Sequence, residues 1–295
     1  MTTTITDEFE EHRPRLFSLA YRLLGSAEEA EDAVQDAYLR YSGADRAGIE
    51  QPAAWLAKVV TNLCLNRLAS ARARRERYVG TWLPEPVVTA DGTLGPLESA
   101  EQRDAVSMAM LVLLERLTPT ERAVYVLREA FAYGHREISE VLDLSEANCR
   151  QLYRRAVQRV GEQRARFDPA SEQQEELVAS FITAARDGDL AGLERLLAAD
   201  ATWWSDGGGK VTAAHWPVEG GPRIAHFLAG GGPRFAVGLD FLPTEVNGTT
   251  GLAGWAGDTL MGLAAFDIRD GLVTGVRVVV NPEKLEFARR QLVRP

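Results

Sequence analysis

Along the first half of the chain, apolar residues return every three or four positions, and along the last quarter they come in short runs broken by glycine. Phe9, Leu16, Leu19 with Ala20, and Leu23 set a stripe that predicts an amphipathic helix from Phe9 to Leu24. Gly25 stops it. Ser26, with Glu29 at the capping-box position, opens a second helix through about Tyr41. One face of this helix is apolar, through Ala30, Ala33, Val34, Ala37, Tyr38 and Tyr41. Glu28, Asp32, Gln35, Asp36 and Leu39 form the opposite stripe, acidic with an apolar tip. That stripe reads either as a solvated face or as a dock for a basic partner.

Pro52 sits where a first-turn proline belongs, and Trp55, Leu56, Val59, Val60 and Leu63 carry a third helix inward. Lys58, Asn62, Asn66 and Arg72 project from its other side and run into the arginine-rich stretch RLASARARRER, residues 67–77, which begins with Arg67. Polar and basic groups on one face suit a single nucleic-acid strand whose phosphates and unstacked bases are both held. The plainer alternative is a soluble helix end.

A second helical block begins at LTPTERAVYVLREAF, with Thr118 as N-cap, Pro119 in the first turn and Glu121 completing a capping box. In REISEVLDLSEANCRQLYRRA, Ile138, Val141 and Leu142 line one short helix, DLS turns, and Ala147, Leu152 and Ala156 line a second that Ser145 caps. Asn148, Arg150, Gln151, Arg154 and Arg155 point away from those apolar positions. This is the helix-turn-helix pattern, whose second helix reads base edges and phosphates in a major groove. A three-helix packing unit without DNA is the alternative.

Beyond FDPASEQQ the pattern changes. Helices are predicted from about Glu172 to Arg186 and from Asp189 to Ala198, then strands at ATWWS and KVTAAHW around DGGG, a helix at GPRIAHFLAG, and an antiparallel meander through residues 239–280. Asn247 with Gly248 and Asp270 with Gly271 are hairpin turns.

Composition changes this picture little. A chain of 295 residues, 45% hydrophobic and 25% charged, buries enough for two or three domains. The formal net charge of -9 argues against nucleic acid only as a sum, because phosphate binding needs a local patch. Residues 67–77 and 150–167 are such basic patches, and the compensating acids lie elsewhere. Neither Cys64 nor Cys149 has a partner at motif spacing, which suits buried thiols in a reducing compartment. His12, His135, His215 and His226 show no ligand spacing, so neither a metal nor another cofactor is expected. No apolar run reaches the roughly 20 residues that cross a bilayer, and the first residues lack a secretory pattern, so a cytoplasmic protein with no membrane partner is expected.

Taken together, YRLLGSAEEAEDAVQDAYLRY, PAAWLAKVVTNLCLNRLASARARRE and the long stretch from LTPTERAVYV to CRQLYRRA resemble the two regions of extracytoplasmic-function sigma factors, the promoter-specificity subunits of bacterial RNA polymerase. The resemblance implies that the acidic stripe binds core polymerase. It also implies that Lys58 to Arg77 engages the melted minus-ten element and that the helix from Ser145 reads minus-thirty-five. Asp143 departs from the glycine common in that turn but tolerates left-handed backbone angles. Cys149 departs from the usual branched aliphatic as a small core filler.

The C-terminal order of paired helices and sheet resembles the SnoaL-like branch of the nuclear-transport-factor-like fold, whose open end commonly forms a pocket. WLPEP (Trp82, Leu83, Pro84, Glu85, Pro86), DGGGK (Asp206, Gly207, Gly208, Gly209, Lys210) and NPEKLEF, beginning Asn281, Pro282, Glu283, Lys284, look like the marks of the sigma-factor group with a fused SnoaL-like domain. Glu283 stands where that group usually has Asp. Alone, DGGG reads as a hairpin turn and NPEK as a capped helix start. Together they suggest that Trp82, Leu83 and Pro84 lie against the fused domain, with Glu85 near Lys210 or Lys284.

The expected architecture is therefore multidomain. Residues 1–80 form an all-α polymerase-docking and minus-ten region, 81–103 a linker, 104–170 an all-α helix-turn-helix region, and 171–295 an α+β SnoaL-like regulatory domain. The expected function is promoter-specific initiation without chemistry of its own, with core polymerase and promoter DNA as partners and no separate anti-sigma factor required. A rival reading makes the C-terminal domain a polyketide-cyclase-like enzyme using His215, His226, Asp206 and Asp258, and an intermediate one gives it a small-molecule ligand.

Overall fold

The computed structural model describes residues 5–45, 48–75, 77–89, 92, 94, 103, 105–161, 172–235 and 237–292, without the side chains of 69–74 and 232–235. It divides into two compact units. The first comprises Met1–Arg77, Gly92–Val106 and Met110–Arg164, so both helical blocks fall in it; the second comprises Tyr78–Asp91, Ser107–Ala109 and Ala165–Pro295.

In the first unit, α1 (Ile5–Leu24), α2 (Ala27–Ser42) and α3 (Pro52–Arg75) bury the predicted stripes. Phe9, Leu16, Leu19, Leu23, Val34, Leu56 and Val60 are at most 3% exposed and form the buried side of these three helices. Ser26 caps α2 by accepting from the Glu29 backbone N–H. α4 (Met108–Leu114), in this unit from Met110, precedes α5 (Pro119–Glu129), which starts with the expected capping box of Thr118 and Glu121. α6 (His135–Leu142) and α7 (Glu146–Gly161) form the helix-turn-helix. Asp143, at φ 53° and ψ 45°, takes the left-handed position between them. The buried side of α7 is Cys149, Leu152, Ala156 and Val160; Ala147, expected inward, is exposed because the 149/152/156/160 spacing points it away.

Buried Arg122 and half-buried Arg75 tie the helical blocks together. Arg122 Nε donates to the Arg22 carbonyl at 3.0 Å, and Glu115 bonds both Arg122 and Arg75. Arg75 also donates to the Leu24 carbonyl. Burial lowers the pKa of Arg122 to about 9 and of Arg22 to about 10, so both remain cations at neutral pH.

In the second unit, α8 (Glu172–Asp187), α9 (Leu190–Leu196) and α10 (Gly221–Phe235) accompany a six-stranded sheet of order β2-β1-β6-β5-β4-β3. Its strands are β1 (Leu197–Asp206), β2 (Val218–Glu219), β3 (Asp240–Val246), β4 (Thr249–Ala256), β5 (Thr259–Arg269) and β6 (Leu272–Val279). The last four form the predicted meander, and β1 joins β6 in parallel. Phe181, Leu193, Ile224, Leu252, Phe266, Val273 and Val276 pack between helices and sheet.

Two expectations are corrected here. Ala198, expected at a helix end, already lies in β1, and KVTAAHW is not a strand. The Gly207 carbonyl accepts from Lys210 and Val211 N–H groups, closing a turn, and Ala214 N–H goes to Ser205 Oγ at 3.0 Å, so those three N–H groups are satisfied without strand pairing. Only Val218 and Glu219 reach the edge of β1. The Asn247 and Asp270 turns form with φ of 54° and 52°, each followed by a positive-φ glycine, as such hairpins require.

Candidate polymerase, promoter and connector sites

On α2, Glu28, Asp32, Gln35 and Leu39 are exposed and Asp36 is half-buried. Leu39 is 60% exposed, an apolar tip that no core explains. Asp36 carries a charge partner within the unit: Arg67 donates to its carboxylate at 2.6 Å and to the Glu29 carbonyl at 2.6 Å. The stripe and the α3 basic face therefore meet at this pair.

On α3, Asn62 is half-buried and Asn66 exposed. Lys58 reaches α6 and its turn, donating to the Glu140 carbonyl at 2.8 Å and to Asp143 Oδ1 at 2.7 Å. The Arg72 side chain lies outside the described residues. On α7, Ser145 Oγ accepts from Asn148 N–H at 3.2 Å, which starts the helix with its outer face free of the core. Arg150, Gln151, Arg154 and Arg155 are exposed and Asn148 is half-buried. Arg150 pairs with Glu146 one turn earlier. The buried Glu121 carboxylate takes Arg155 at 3.3 Å and Arg159 as well, so it orients one side of that helix.

Both cysteines are buried and free. Burial pushes the Cys64 thiol up to about 12, which leaves no thiolate for chemistry.

In the second unit, the connector Tyr78 to Thr89 packs onto the sheet's end. Leu83 is 1% exposed; Pro84, Pro86, Val87 and Val88 are also buried, and Trp82 and Glu85 are half-buried. The polar centre is Asp206, at the last residue of β1 and 0% exposed. Its Oδ1 accepts from the Tyr78 hydroxyl at 2.6 Å and Gly208 N–H at 3.1 Å; its Oδ2 accepts from Leu83 N–H at 2.8 Å and Lys284 Nζ at 2.7 Å. Lys284, itself 8% exposed, also donates to the Leu83 carbonyl and lies 4.5 Å from the ring centres of both Tyr78 and Trp82. A buried cation and a buried anion thus hold both backbone groups of Leu83, with two aromatic faces over the ammonium. Burial and the Asp206 carboxylate push the Tyr78 phenol well above its ordinary range, so it stays a donor.

DGGG and NPEK build this cradle from two directions. Gly208, at φ 59°, has no room for a Cβ, which would meet the Asn281 amide and the Tyr78 hydroxyl. Asn281 caps the 3-10 turn Pro282–Leu285 by accepting from Glu283 N–H at 3.1 Å, and donates to the Tyr78 hydroxyl at 2.8 Å. The short helix α11 (Glu286–Gln291) follows. Lys210 pairs with Glu283.

Further along, Val87 and Asn247 exchange bonds: Val87 N–H to Asn247 Oδ1 at 3.0 Å, and Asn247 N–H to the Val87 carbonyl at 2.9 Å. Gln291 bonds both the N–H and the carbonyl of Val88. Thr89 N–H donates to the Glu245 carbonyl at 3.1 Å, and the Thr89 hydroxyl to the Glu245 carboxylate at 2.6 Å. Sequence reasoning missed Tyr78, Thr89, Glu245, Asn247 and Gln291. Asn247 was read only for its turn, and a carbonyl acceptor buried behind a hairpin has no sequence pattern.

The enzyme candidates do not gather. Asp206 is committed to four donors. His215 is exposed beside Gly80 and Thr81, His226 is exposed on α10 with its ring against the Pro222 carbonyl, and Asp258 is exposed in the β4–β5 turn. Among the described residues, no cluster of His, Cys, Asp or Glu could hold a metal, and no helix is long and apolar enough to cross a membrane.

Comparisons with known proteins identify the family. A sigma-70 region 2 model matches residues 9–74 and a sigma-70 region 4 model matches residues 107–160. The chain is 40% identical over 291 residues to the ECF RNA polymerase sigma factor SigJ of Mycobacterium tuberculosis, covering 94% of this chain and 92% of that protein. It is 30% identical over 283 residues to the probable ECF RNA polymerase sigma factor SigI of the same organism, covering 95% and 94%. The crystal structure of M. tuberculosis SigJ superposes with a TM-score of 0.74 at 35% identity, over 95% of this chain and 98% of that one. Sigma factors bind core RNA polymerase and promoter DNA and initiate transcription without catalysis of their own. With helical sigma regions preceding an α+β domain, and relatives matched across nearly its whole length, this chain belongs to the extracytoplasmic-function RNA polymerase sigma factors.

Proposed function

We propose that the outward stripe of α2, Glu28, Asp32, Gln35, Asp36 and Leu39, docks core RNA polymerase. Lys58, Asn62, Asn66, Arg67 and Arg72 then engage the melted minus-ten element, and Asn148, Arg150, Gln151, Arg154 and Arg155 the minus-thirty-five duplex. The C-terminal domain modulates this activity in cis through the connector: Trp82 to Pro86 sit in a cradle built by Asp206 to Lys210 and Asn281 to Lys284. This makes a separate anti-sigma factor unnecessary, and it makes the C-terminal domain a regulator rather than an enzyme, in a cytoplasmic protein.

The observation that carries the reading is the buried Asp206 and Lys284 pair holding the Leu83 backbone. A connector so held has its ends fixed, and a change in the domain is passed to the chain on either side. The test is run-off transcription by core polymerase with full-length chain, comparing the parent with Trp82→Ala and Lys284→Met. Transcript yield should change several-fold with polymerase affinity intact. Equal yields in a folded sample would refute cis control.

A second reading, a small-molecule ligand in the C-terminal domain, is favoured by one observation. Trp203, half-buried on the helix-facing side of β1 against Phe227, has its indole N–H buried with no hydrogen-bond partner. A small apolar molecule bearing one acceptor would satisfy it. Trp203→Phe, which removes the indole N–H and keeps an aromatic ring against Phe227, should leave the fold intact and abolish any ligand-induced change in thermal stability.

A further inference from the structure

The residue that ends α6 does more than turn the chain. Asp143 occupies the left-handed region at φ 53°, where a Cβ is strained and glycine is not. Asn suits that backbone as well as Asp does, so turn geometry alone gives no reason for the charge. Its side chain is 74% exposed, yet Oδ1 lies 2.7 Å from Lys58 Nζ. The same ammonium takes the Glu140 carbonyl, one of the C-terminal carbonyls of α6 that has no partner within the helix.

We propose that Asp143 is an autoinhibitory clasp: with the Glu140 carbonyl it holds Lys58 against α6, and a DNA phosphate must displace it. Carboxylate and phosphate are alternative anions for one ammonium, so the clasp and a promoter contact by Lys58 exclude each other. The pair is open to solvent on both sides, 39% and 74% exposed, so it is weak and reversible. The buried bonds of Arg122 and Glu115 hold the same two helical blocks by other means, so the clasp biases closure rather than creating it. The inference rests on Lys58 as a promoter contact only for its consequence, and the test separates the two.

The experiment uses the full-length chain with donor and acceptor dyes at exposed Ala54 and Gln158, introduced as cysteines while the buried Cys64 and Cys149 stay unlabelled. Single-molecule energy transfer then reports the fraction of molecules in which α3 and α7 have parted. Asp143→Asn keeps the shape and the tolerance for left-handed angles while deleting the charge. It should raise the opened fraction about two- to fivefold at low salt, the range for an exposed ion pair. The difference from the parent should fade at about 1 M salt. Asp143→Gly, which also relieves the turn, should open the chain at least as much with no loss of thermal stability. Lys58→Met should do the same, and adding Asp143→Asn to it should change nothing further. An Asp143→Asn distribution equal to the parent's at low salt overturns the clasp.

The second readout is binding of the polymerase holoenzyme to fork-junction DNA of mixed sequence. If Asp143→Asn opens the chain and tightens this binding by a similar factor, both readings stand. If it opens the chain with DNA binding unchanged, the contact fastens α3 to α6 but inhibits nothing, which overturns the autoinhibition, and Lys58 is not a promoter contact.

Discussion

Two lysine and aspartate pairs in this molecule have the same length and opposite character. Lys284 with Asp206 and Lys58 with Asp143 both span 2.7 Å. The side chains of the first are 10% and 0% exposed, those of the second 39% and 74%. Contact distance therefore says nothing about what either pair does; surroundings decide it. Lys284 has a carboxylate, a carbonyl and two aromatic faces around it and no route to another anion without unpacking the connector. Lys58 stands at the surface, where any anion competes. One is a permanent fastening and the other a contact made to be exchanged.

The largest effect should come from breaking the fastening. Asp206→Ala strips Lys284 of its counter-charge and leaves Leu83 N–H and the Tyr78 hydroxyl without their acceptor. Denaturant unfolding of the full chain should show a loss of about 3–5 kcal/mol, the cost of leaving a buried partner unpaired. Asp206→Leu with Lys284→Met should recover part of that stability by removing both charges at once. A loss below about 1 kcal/mol for Asp206→Ala would place this pair among the surface pairs.

Next in size is a reversal on the exposed side. Asp32→Lys with Asp36→Lys turns the α2 stripe basic and removes the partner of Arg67. Affinity for core polymerase should fall at least tenfold, about 1.4 kcal/mol, with the melting temperature close to the parent's. Leu39→Ala should weaken the same binding less. Unchanged affinity in a folded double variant would remove α2 as the dock.

Gly208→Ala should fall between a buried and a surface change. A Cβ at φ 59° costs about 1–2 kcal/mol by backbone strain alone. Here it also meets the Asn281 amide and the Tyr78 hydroxyl, so the cradle must shift. The measurement is the unfolding free energy together with Trp82 fluorescence, which should report a looser connector.

The same contrast explains what could be read from the sequence. Apart from α4, the helices of the first unit were legible because the 3.6-residue period fixes which residues face inward, and caps such as Ser26 and Thr118 mark their starts. The Asn247 and Asp270 hairpins were legible because their backbone angles select Asn-Gly and Asp-Gly. The surface engagements were not. That Lys58 meets Asp143, or that Arg67 meets Asp36, depends on how helices cross, which periodicity leaves open. WLPEP drew notice because an apolar group in a connector needs a cover, whereas the buried acceptor of Asn247 and the hydroxyl of Tyr78 carry no such signal. KVTAAHW misled for a related reason: apolar residues beside a glycine turn resemble a strand, but after the turn closed by the Gly207 carbonyl the Ala214 N–H goes to the Ser205 side chain and not to a β1 carbonyl.

The smallest effect offers the sharpest separation of the two pairs. Between about 0.1 and 1 M salt the Debye length falls from about 10 to 3 Å. Screening acts where solvent reaches, so the Lys58 and Asp143 contact should weaken across that range. The Leu83 amide donates to a carboxylate that solvent does not touch, and its hydrogen exchange should stay within about twofold over the same range. Exchange at Leu83 that accelerates tenfold with salt would mean that Asp206 and Lys284 open together in the native protein. The connector would then be released by ionic strength alone, and the distinction between a permanent fastening and an exchangeable contact would fail.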